Sequence, residues 1–504
     1  MDTVDITLEE AFARAVEFQQ DKDFKTAQII YSEILKKKPN HLDSLNNLGS
    51  IFQNLGEDDK AKNCYEKVIT IEPNYPLAYY NLGNILKKKG ELQKAISCHE
   101  KAIAIKKDYI NPYINLGVIY QELQEDDKAK DYYEKVIEID PNYSIAHNNL
   151  GNVLKKKGEH QTAISCFKKA IKINLSFKEA HFNLGVMFHE LGKYNKAKDS
   201  YEKVIEIDPN YVKAHNNLAQ IFQELGQDDK AKKYYEKAIE IDPDFRGVYW
   251  NLHSTASSTD EAITILKKLY EIDKTYIRAK IMISALQGYQ GNFDEFNSIL
   301  LSSESSHPYS RSVKWVFSLP KLPKLFFNRV DFFNAMMQLS EKTRPFYEFG
   351  VWNGISFKLL INTFKKGFGF DTFTGIPEAW HDEPEGKYSA FGAVPKIEGG
   401  EFIVGKFEDT LPKFFAQERP VASLINFDAD LYSSTLCALN NSNKVIDENT
   451  ILVFDEFIMN DKWEEDEYKA LNEFCENLGY NYEVIAVSFF TKQVAIKLKK
   501  ILNG

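Results

Sequence analysis

The chain has 504 residues, a formal net charge of −10 and 43% apolar residues, the composition of a soluble globular protein too long for one ordinary core. Lysine and glutamate are interleaved without a basic block, which argues against nonspecific nucleic-acid binding. No apolar run is long enough to span a bilayer, and Met1 to Glu10 carries acids where a signal peptide needs a basic start and an apolar core, so a cytoplasmic protein is expected.

The N-terminal half is periodic. Alanines fall at Ala27, Ala61, Ala95, Ala129, Ala163, Ala197 and Ala231, each 34 residues after the last. Leu48, Leu82, Leu116, Leu150, Leu184 and Leu218 track them, and a glycine follows all but the last. Tyrosine or phenylalanine recurs at positions 31, 65, 133, 167, 201 and 235, and proline at 39, 73, 141, 209 and 243. The small residues let paired helices approach closely, and the proline closes each unit because it cannot continue a helix. This pattern resembles the tetratricopeptide repeat, a helix–turn–helix unit. Seven repeats start near Leu8; an eighth, from Arg246, is eroded, as end repeats that act as caps usually are. Cys64, Cys98 and Cys166 share one repeat position and read as packing residues, and no C-x-x-C occurs.

Asn47, Asn81, Asn115, Asn149, Asn183, Asn217 and Asn251 occupy one position on the first helix of consecutive repeats. A ladder of primary amides can donate to and accept from a peptide backbone without reading its sequence. The array resembles that of O-GlcNAc transferase in this respect, which implies a protein or peptide partner. Simple helix packing is the competing reading of the same ladder. His147, His181 and His215 also recur at this period; adjacent repeats lie too far apart for them to share one ion, so they read as interhelical residues.

The period is lost after Ile277. The array is taken as residues 1–285, and 286–344 as a linker and lead-in, with Leu301 to Ser306 as linker and Phe326 to Ser340 as an amphipathic helix. From Pro345 strands alternate with helices, which predicts an α/β Rossmann-like domain over 345–504. Candidate strands are Phe346–Phe349, Gly367–Phe370, Glu401–Val404, Ala422–Phe427 and Thr450–Phe454, then Tyr482–Val487 and Gln493–Lys497, whose short connection forces antiparallel pairing. Five parallel strands followed by a terminal hairpin is the arrangement of class I methyltransferases, which use S-adenosylmethionine.

The strand ends carry the chemistry, because ligands of open parallel sheets bind outside the carboxyl ends. Glu348-Phe-Gly350-Val-Trp-Asn-Gly354 ends the first strand with glycines that let a cofactor approach the backbone. The acid before them suits an amino group and would repel a pyrophosphate. Asp371 ends the second strand, where an acid commonly accepts ribose hydroxyls. Glu408 and Asp409 follow the third, near the expected adenine. Asp428-Ala-Asp430 and Asp455-Glu456 end the fourth and fifth and could deliver several carboxylates to one crevice.

Residues from about Phe346 to Phe457 resemble the macrocin-type (TylF-like) O-methyltransferases. The matching pieces are Glu348-Phe-Gly-Val, Phe370-Asp-Thr-Phe-Thr-Gly-Ile-Pro-Glu, Asp409-Thr-Leu-Pro, Asp428-Ala-Asp-Leu-Tyr-Ser-Ser-Thr and Phe454-Asp-Glu-Phe. The resemblance implies methylation of a sugar hydroxyl with Mg²⁺ as an aid, the metal held by Asp428, Asp455 and Glu456. The family has Asp-Asp at the last site and this chain Asp-Glu. Asp428 would then also accept the proton, as base or through the metal. The insertion from Gly375 to Gly400 reads as a lid, with His381 an alternative base and Trp380 a surface for a sugar ring.

Two functions follow. One is an S-adenosylmethionine-dependent O-methyltransferase for a glycan or other hydroxylated small molecule, its array recruiting a partner or presenting substrate. The other is a repeat-based adaptor whose C-terminal domain binds S-adenosylmethionine without catalysis. Methylation of a polypeptide held by the asparagine ladder is a third expectation.

Overall fold

The computed structural model describes residues 7–381, 383, 385–386, 388–390 and 392–501; Asp382 of the lid and the first residues of Met1–Glu10 lie outside these. The chain divides into two compact units, 1–187 and 188–504.

The first unit is built of helical hairpins that follow the repeat period, from Leu8–Gln20 with Phe24–Lys37 through Ser144–Lys156 with His160–Ile173. Thr7 opens the first helix as a capping box: its hydroxyl accepts from Glu10 N at 3.1 Å while the Glu10 carboxylate accepts from Thr7 N at 2.8 Å. The glycine after each repeat leucine explains the close hairpins. A Cβ on Gly49, Gly83, Gly117 or Gly151 would stand 2.7, 2.7, 2.5 or 2.6 Å from the ring of Tyr65, His99, Tyr133 or Phe167 of the partner helix. That separation excludes any larger residue unless the ring moves.

The second unit holds the remaining repeats and the sheet. The eighth hairpin pairs a short Arg246–Leu252 helix with Thr259–Ile272. A ninth hairpin, Ile277–Tyr289 with Asp294–Leu300, follows where the period fades. The segment expected to be a linker is ordered: Ser303–Ser306 forms a 3-10 turn and Pro308–Ser318 a helix, with Pro308 at its first turn. The lead-in helix is Arg329–Leu339, capped by Asn328, whose Oδ1 accepts from Asp331 N at 2.7 Å.

The sheet has eight strands: β1 Lys324–Leu325, β2 Phe346–Phe349, β3 Gly367–Asp371, β4 Gly400–Val404, β5 Leu424–Phe427, β6 Ile451–Phe454, β7 Tyr480–Val487 and β8 Val494–Lys500. Their order is β1-β7-β8-β6-β5-β2-β3-β4, parallel from β2 to β6 and antiparallel where β8 meets β6 and β7. β1 was not expected; it pairs with β7 at the far edge and brings the sheet domain's start forward from Pro345 to Lys324. β2, β5 and β6 are wholly buried, as strands covered on both faces must be. No helix among the described residues is long and apolar enough to cross a membrane.

Candidate functional site

Phe370, Phe349, Phe427 and Phe454 are paired across β3, β2, β5 and β6 and stack with centroids 5.0, 5.3 and 4.8 Å apart. These aromatic cross-strand pairs pin the register. The residue after each phenylalanine is therefore level with the others: Asp371, Gly350, Asp428 and Asp455. A cavity of about 240 Å³ opens above this row and is lined by all four.

Gly350 has φ +89°, and a Cβ there would meet the Asp428 carbonyl oxygen, so only glycine lets β2 and β5 close under the cavity. Asp371 clamps the turn beyond it. Its Oδ2 accepts from Val351 N and Trp352 N at 2.8 and 2.7 Å, and its Oδ1 accepts from Phe373 N at 2.5 Å. The Gly375–Gly400 insertion covers one side through Ile376, Trp380 and Tyr388. His381, the imidazole expected as an alternative base, ties that cover to Asp466, with Nε2 2.8 Å from Oδ2, and does not line this cavity.

Four cofactor positions lie elsewhere than expected. Glu348 is fully buried below the cavity, where its Oε1 accepts from Ser356 Oγ and from Asn426 Nδ2. Burial pushes its pKa up to about 8 against those two hydrogen bonds. Gly354 caps the next helix at φ +75° beside Ile397 and Pro395. Glu408 and Asp409 are exposed on the first turn of the Phe407–Phe415 helix, beyond the end of β4 at Val404, which is level with Asp371; Lys406 and Phe407 line the cavity instead.

The acidic group is met by protein cations. Arg329 Nη2 lies 3.0 Å from Asp428 Oδ2 and 3.0 Å from Asp455 Oδ1. Lys492 Nζ lies 2.7 Å from Glu456 Oε2, and Gln493 Nε2 donates to Asp455 Oδ1 at 2.6 Å. Among the described residues no group of three or more histidine, cysteine or acidic side chains is arranged to hold a metal ion. The trio Asp428, Asp455 and Glu456 thus does not fit Mg²⁺ in this arrangement: a guanidinium stands between the first two, and the third is turned to a lysine. Burial, then the Asp455 charge, raises the Asp428 pKa well above the ordinary carboxylate range, with Arg329 opposing. Burial and the charges of Glu456 and Asp455 push Asp430 up to about 8; its φ of +57° makes it a turn residue. Glu467, fully buried, accepts from Glu456 N at 3.3 Å and completes the acidic layer.

A second cavity, about 630 Å³, shares Arg329, Asp455 and Glu456 with the first. Its other wall comes from repeat helices of the same unit, with Gln223, Trp250, Asn251 and Arg278 facing Phe490 and Lys492 of the sheet domain. Arg329, Lys492 and Trp250 went unnoticed in the sequence. Arg329 stands 99 residues before Asp428, and no spacing rule links a lead-in helix to a strand end.

The asparagine ladder is half-buried and largely spent on packing. Asn47 and Asn217 donate to Tyr31 and Tyr201 hydroxyls at 3.1 and 3.2 Å. Asn81, Asn115, Asn183 and Asn251 donate to Asn46, Asn84, Asn148 and Asn216 at 3.1, 2.5, 2.9 and 3.0 Å. Asn149 accepts from Asn148 at 3.3 Å. His147, His181 and His215 each direct Nε2 at a carbonyl six residues earlier, of Pro141, Leu175 and Pro209, in the turn that leads into the histidine's own helix.

Tetratricopeptide repeat models match residues 74–142, 109–176 and 212–245, and a TPR repeat model matches 49–90 and 186–226. The N-terminal helices are therefore a tetratricopeptide array, and such repeats indicate a role in protein interaction. Among solved structures, MamA is 26% identical over 32% of this chain and 95% of its own, with a TM-score of 0.30. YrrB, described as a TPR protein with an unusual peptide-binding site, is 26% identical over 36% of this chain and 95% of its own, with a TM-score of 0.31. The Cut9–Hcn1 hetero-tetramer of APC/C is 18% identical over 48% of each chain, with a TM-score of 0.41. No curated protein matches the chain.

Proposed function

We propose that the sheet domain is an S-adenosylmethionine-dependent O-methyltransferase acting on a sugar or other hydroxylated acceptor, and that the repeat array brings a protein partner or the substrate to it. The observation that carries this reading is the level row Asp371, Gly350, Asp428 and Asp455 at the carboxyl ends of β3, β2, β5 and β6, under a covered cavity. A donor with an adenosine and an amino acid fits such a row: a glycine lets it approach the backbone, and acids flank it. Trp352 adds a buried indole N–H with no acceptor among the described residues.

When bound, S-adenosylmethionine supplies a methyl group on a positively charged sulfur. Asp428 and Asp455 then face the acceptor side. Asp428, its pKa raised by burial, takes the proton released as the acceptor oxygen is methylated. The cover formed by Ile376, Trp380 and Tyr388 excludes water from the same cavity. The 630 Å³ cavity is the acceptor chamber, since it reaches Asp455 from the repeat side.

The test is transfer of labelled methyl from the donor into fractionated cell extract. The expected product is labelled saccharide or small molecule, absent with Asp428→Asn. Label in polypeptide alone would replace this acceptor class with a protein held by the array. The adaptor reading draws support from the same neutralised carboxylates, because acids fully paired to arginine and lysine suit a binding domain. Donor binding without transfer in any fraction would favour it.

A further inference from the structure

We propose that Arg329 is the resident cation of this site, standing where a divalent metal would bridge Asp428 and Asp455, so that the site works without one. The inference rests on reading the strand-end cavity as the methyl-transfer site.

One nitrogen of the guanidinium lies 3.0 Å from a carboxylate oxygen on each of two neighbouring strand ends. Bridging two such carboxylates is what a divalent ion does in a metal-assisted site. Arginine does it with a permanent charge, since it does not lose its proton in proteins. The helix it sits on makes the placement informative. Arg329 is the first residue of the Arg329–Leu339 helix, where the helix dipole disfavours a cation. Local helix energetics therefore oppose an arginine here, and the two carboxylates supply the compensation. The position is held from both sides: Asn328 caps the helix, and β1, a few residues earlier, is hydrogen-bonded to β7.

The other carboxylate is also committed. Glu456 pairs with Lys492, and Asp455 receives Gln493 as well. Against the three acids Asp428, Asp455 and Glu456 stand two fixed positive charges. A divalent ion entering this set would have to expel the guanidinium or bind beside it. Like charges held that close in a partly desolvated site repel strongly.

Arg329 also lines both cavities, and its Nε–H is buried without an acceptor among the described residues. The guanidinium thus has a donor left for an acceptor oxygen, while its charge favours the ionised form of the carboxylate that takes the proton. Arg329 acts as a positioning residue for Asp428 and Asp455 and as a hydrogen-bond donor to the acceptor.

Mn²⁺ titration of the full chain, followed by electron paramagnetic resonance, tests the idea without any acceptor. The wild-type protein should bind no Mn²⁺ at this site. Arg329→Met should gain one bound Mn²⁺, lost again when Asp455→Asn is added. Wild-type protein that takes up one Mn²⁺, with loss in Asp428→Asn, would overturn the proposal, and so would an Arg329→Met protein that binds none. Calorimetry of S-adenosylmethionine on the same samples separates this from the reading beneath it: absence of donor binding in wild type and Arg329→Met alike would sink the methyltransferase reading rather than the cation assignment. Where an acceptor is in hand, methyl transfer by the wild type should survive a chelator undiminished; abolition by chelator, restored by Mg²⁺, would count against Arg329.

Discussion

The ring of His253 packs 4.8 Å from the ring of Phe490, joining the eighth repeat to the connection between β7 and β8. His253 is buried, its Nδ1 is bonded to the Trp250 carbonyl, and burial pushes its pKa down to about 4 against that bond. The contact therefore needs a neutral imidazole. Phe490→Ala should cost about 1–3 kcal/mol, less than a fully buried phenylalanine because this ring is half-exposed. Trp250 fluorescence during thermal melting reads the loss. A melting temperature unchanged by the substitution would show that the contact is idle.

His99 gives a second prediction, in the array. It takes the place held by Tyr65, Tyr133 and Phe167 in neighbouring repeats, against Gly83, and neither ring nitrogen has a hydrogen-bond partner among the described residues. Burial lowers its pKa from 6.5 to about 4. The unfolded chain therefore binds the proton first as pH falls. The stability tied to a neutral His99 is whole above pH 6.5 and is lost toward pH 4. That window represents roughly 3 kcal/mol. His99→Phe should stabilise the array by about 1–2 kcal/mol at neutral pH and flatten its acid sensitivity. Urea melts at neutral pH and near pH 5 would check both, and an equal loss with pH in the variant would contradict the assignment.

Catalysis should carry a pH signature of its own. Asp428 has a pKa raised by burial and by Asp455, so the ionised base is lost on acidification at a higher pH than for an ordinary carboxylate. The acid limb of the transfer rate should sit correspondingly high. A limb in the usual carboxylate range would assign the proton to another group.

The chamber predicts a division of effects. Trp250 borders the larger cavity only. Trp250→Ala should raise KM for the acceptor about tenfold or more, with kcat and donor affinity little changed, as expected for a wall that binds ground and transition states alike. A variant with normal KM would remove the repeat helices from acceptor binding.

Much of this molecule is written in local pattern. The alanine, glycine and aromatic positions place the hairpins because each glycine marks a ring on the partner helix, and the strands follow apolar runs that end in acids. Asp371, Gly350, Asp428 and Asp455 are recognisable because each ends an apolar run that reads as a strand. Glu408 and Asp409 were misplaced for the converse reason: they begin a helix, and their side chains turn with it to solvent. The ninth hairpin and β1 were hidden because their packing partners, Phe317 for Gly288 and β7 for β1, come later in the chain and leave no periodic trace. Arg329 was hidden in the same way. Its partners are strand ends about a hundred residues away, so only the assembled sheet brings them together.

The cavity above the phenylalanine row is proposed to hold S-adenosylmethionine. Calorimetric titration of the donor into the full chain tests it most directly, with Asp371→Ala and Glu408→Ala alongside. The wild type should bind one donor; Glu408→Ala should keep that affinity because the side chain is exposed outside the cavity, and Asp371→Ala should lose at least a hundredfold. Loss is expected there because the Val351 and Trp352 N–H groups are then left without their acceptor. No heat of binding in the wild type would contradict it and leave the chain as a repeat-based adaptor.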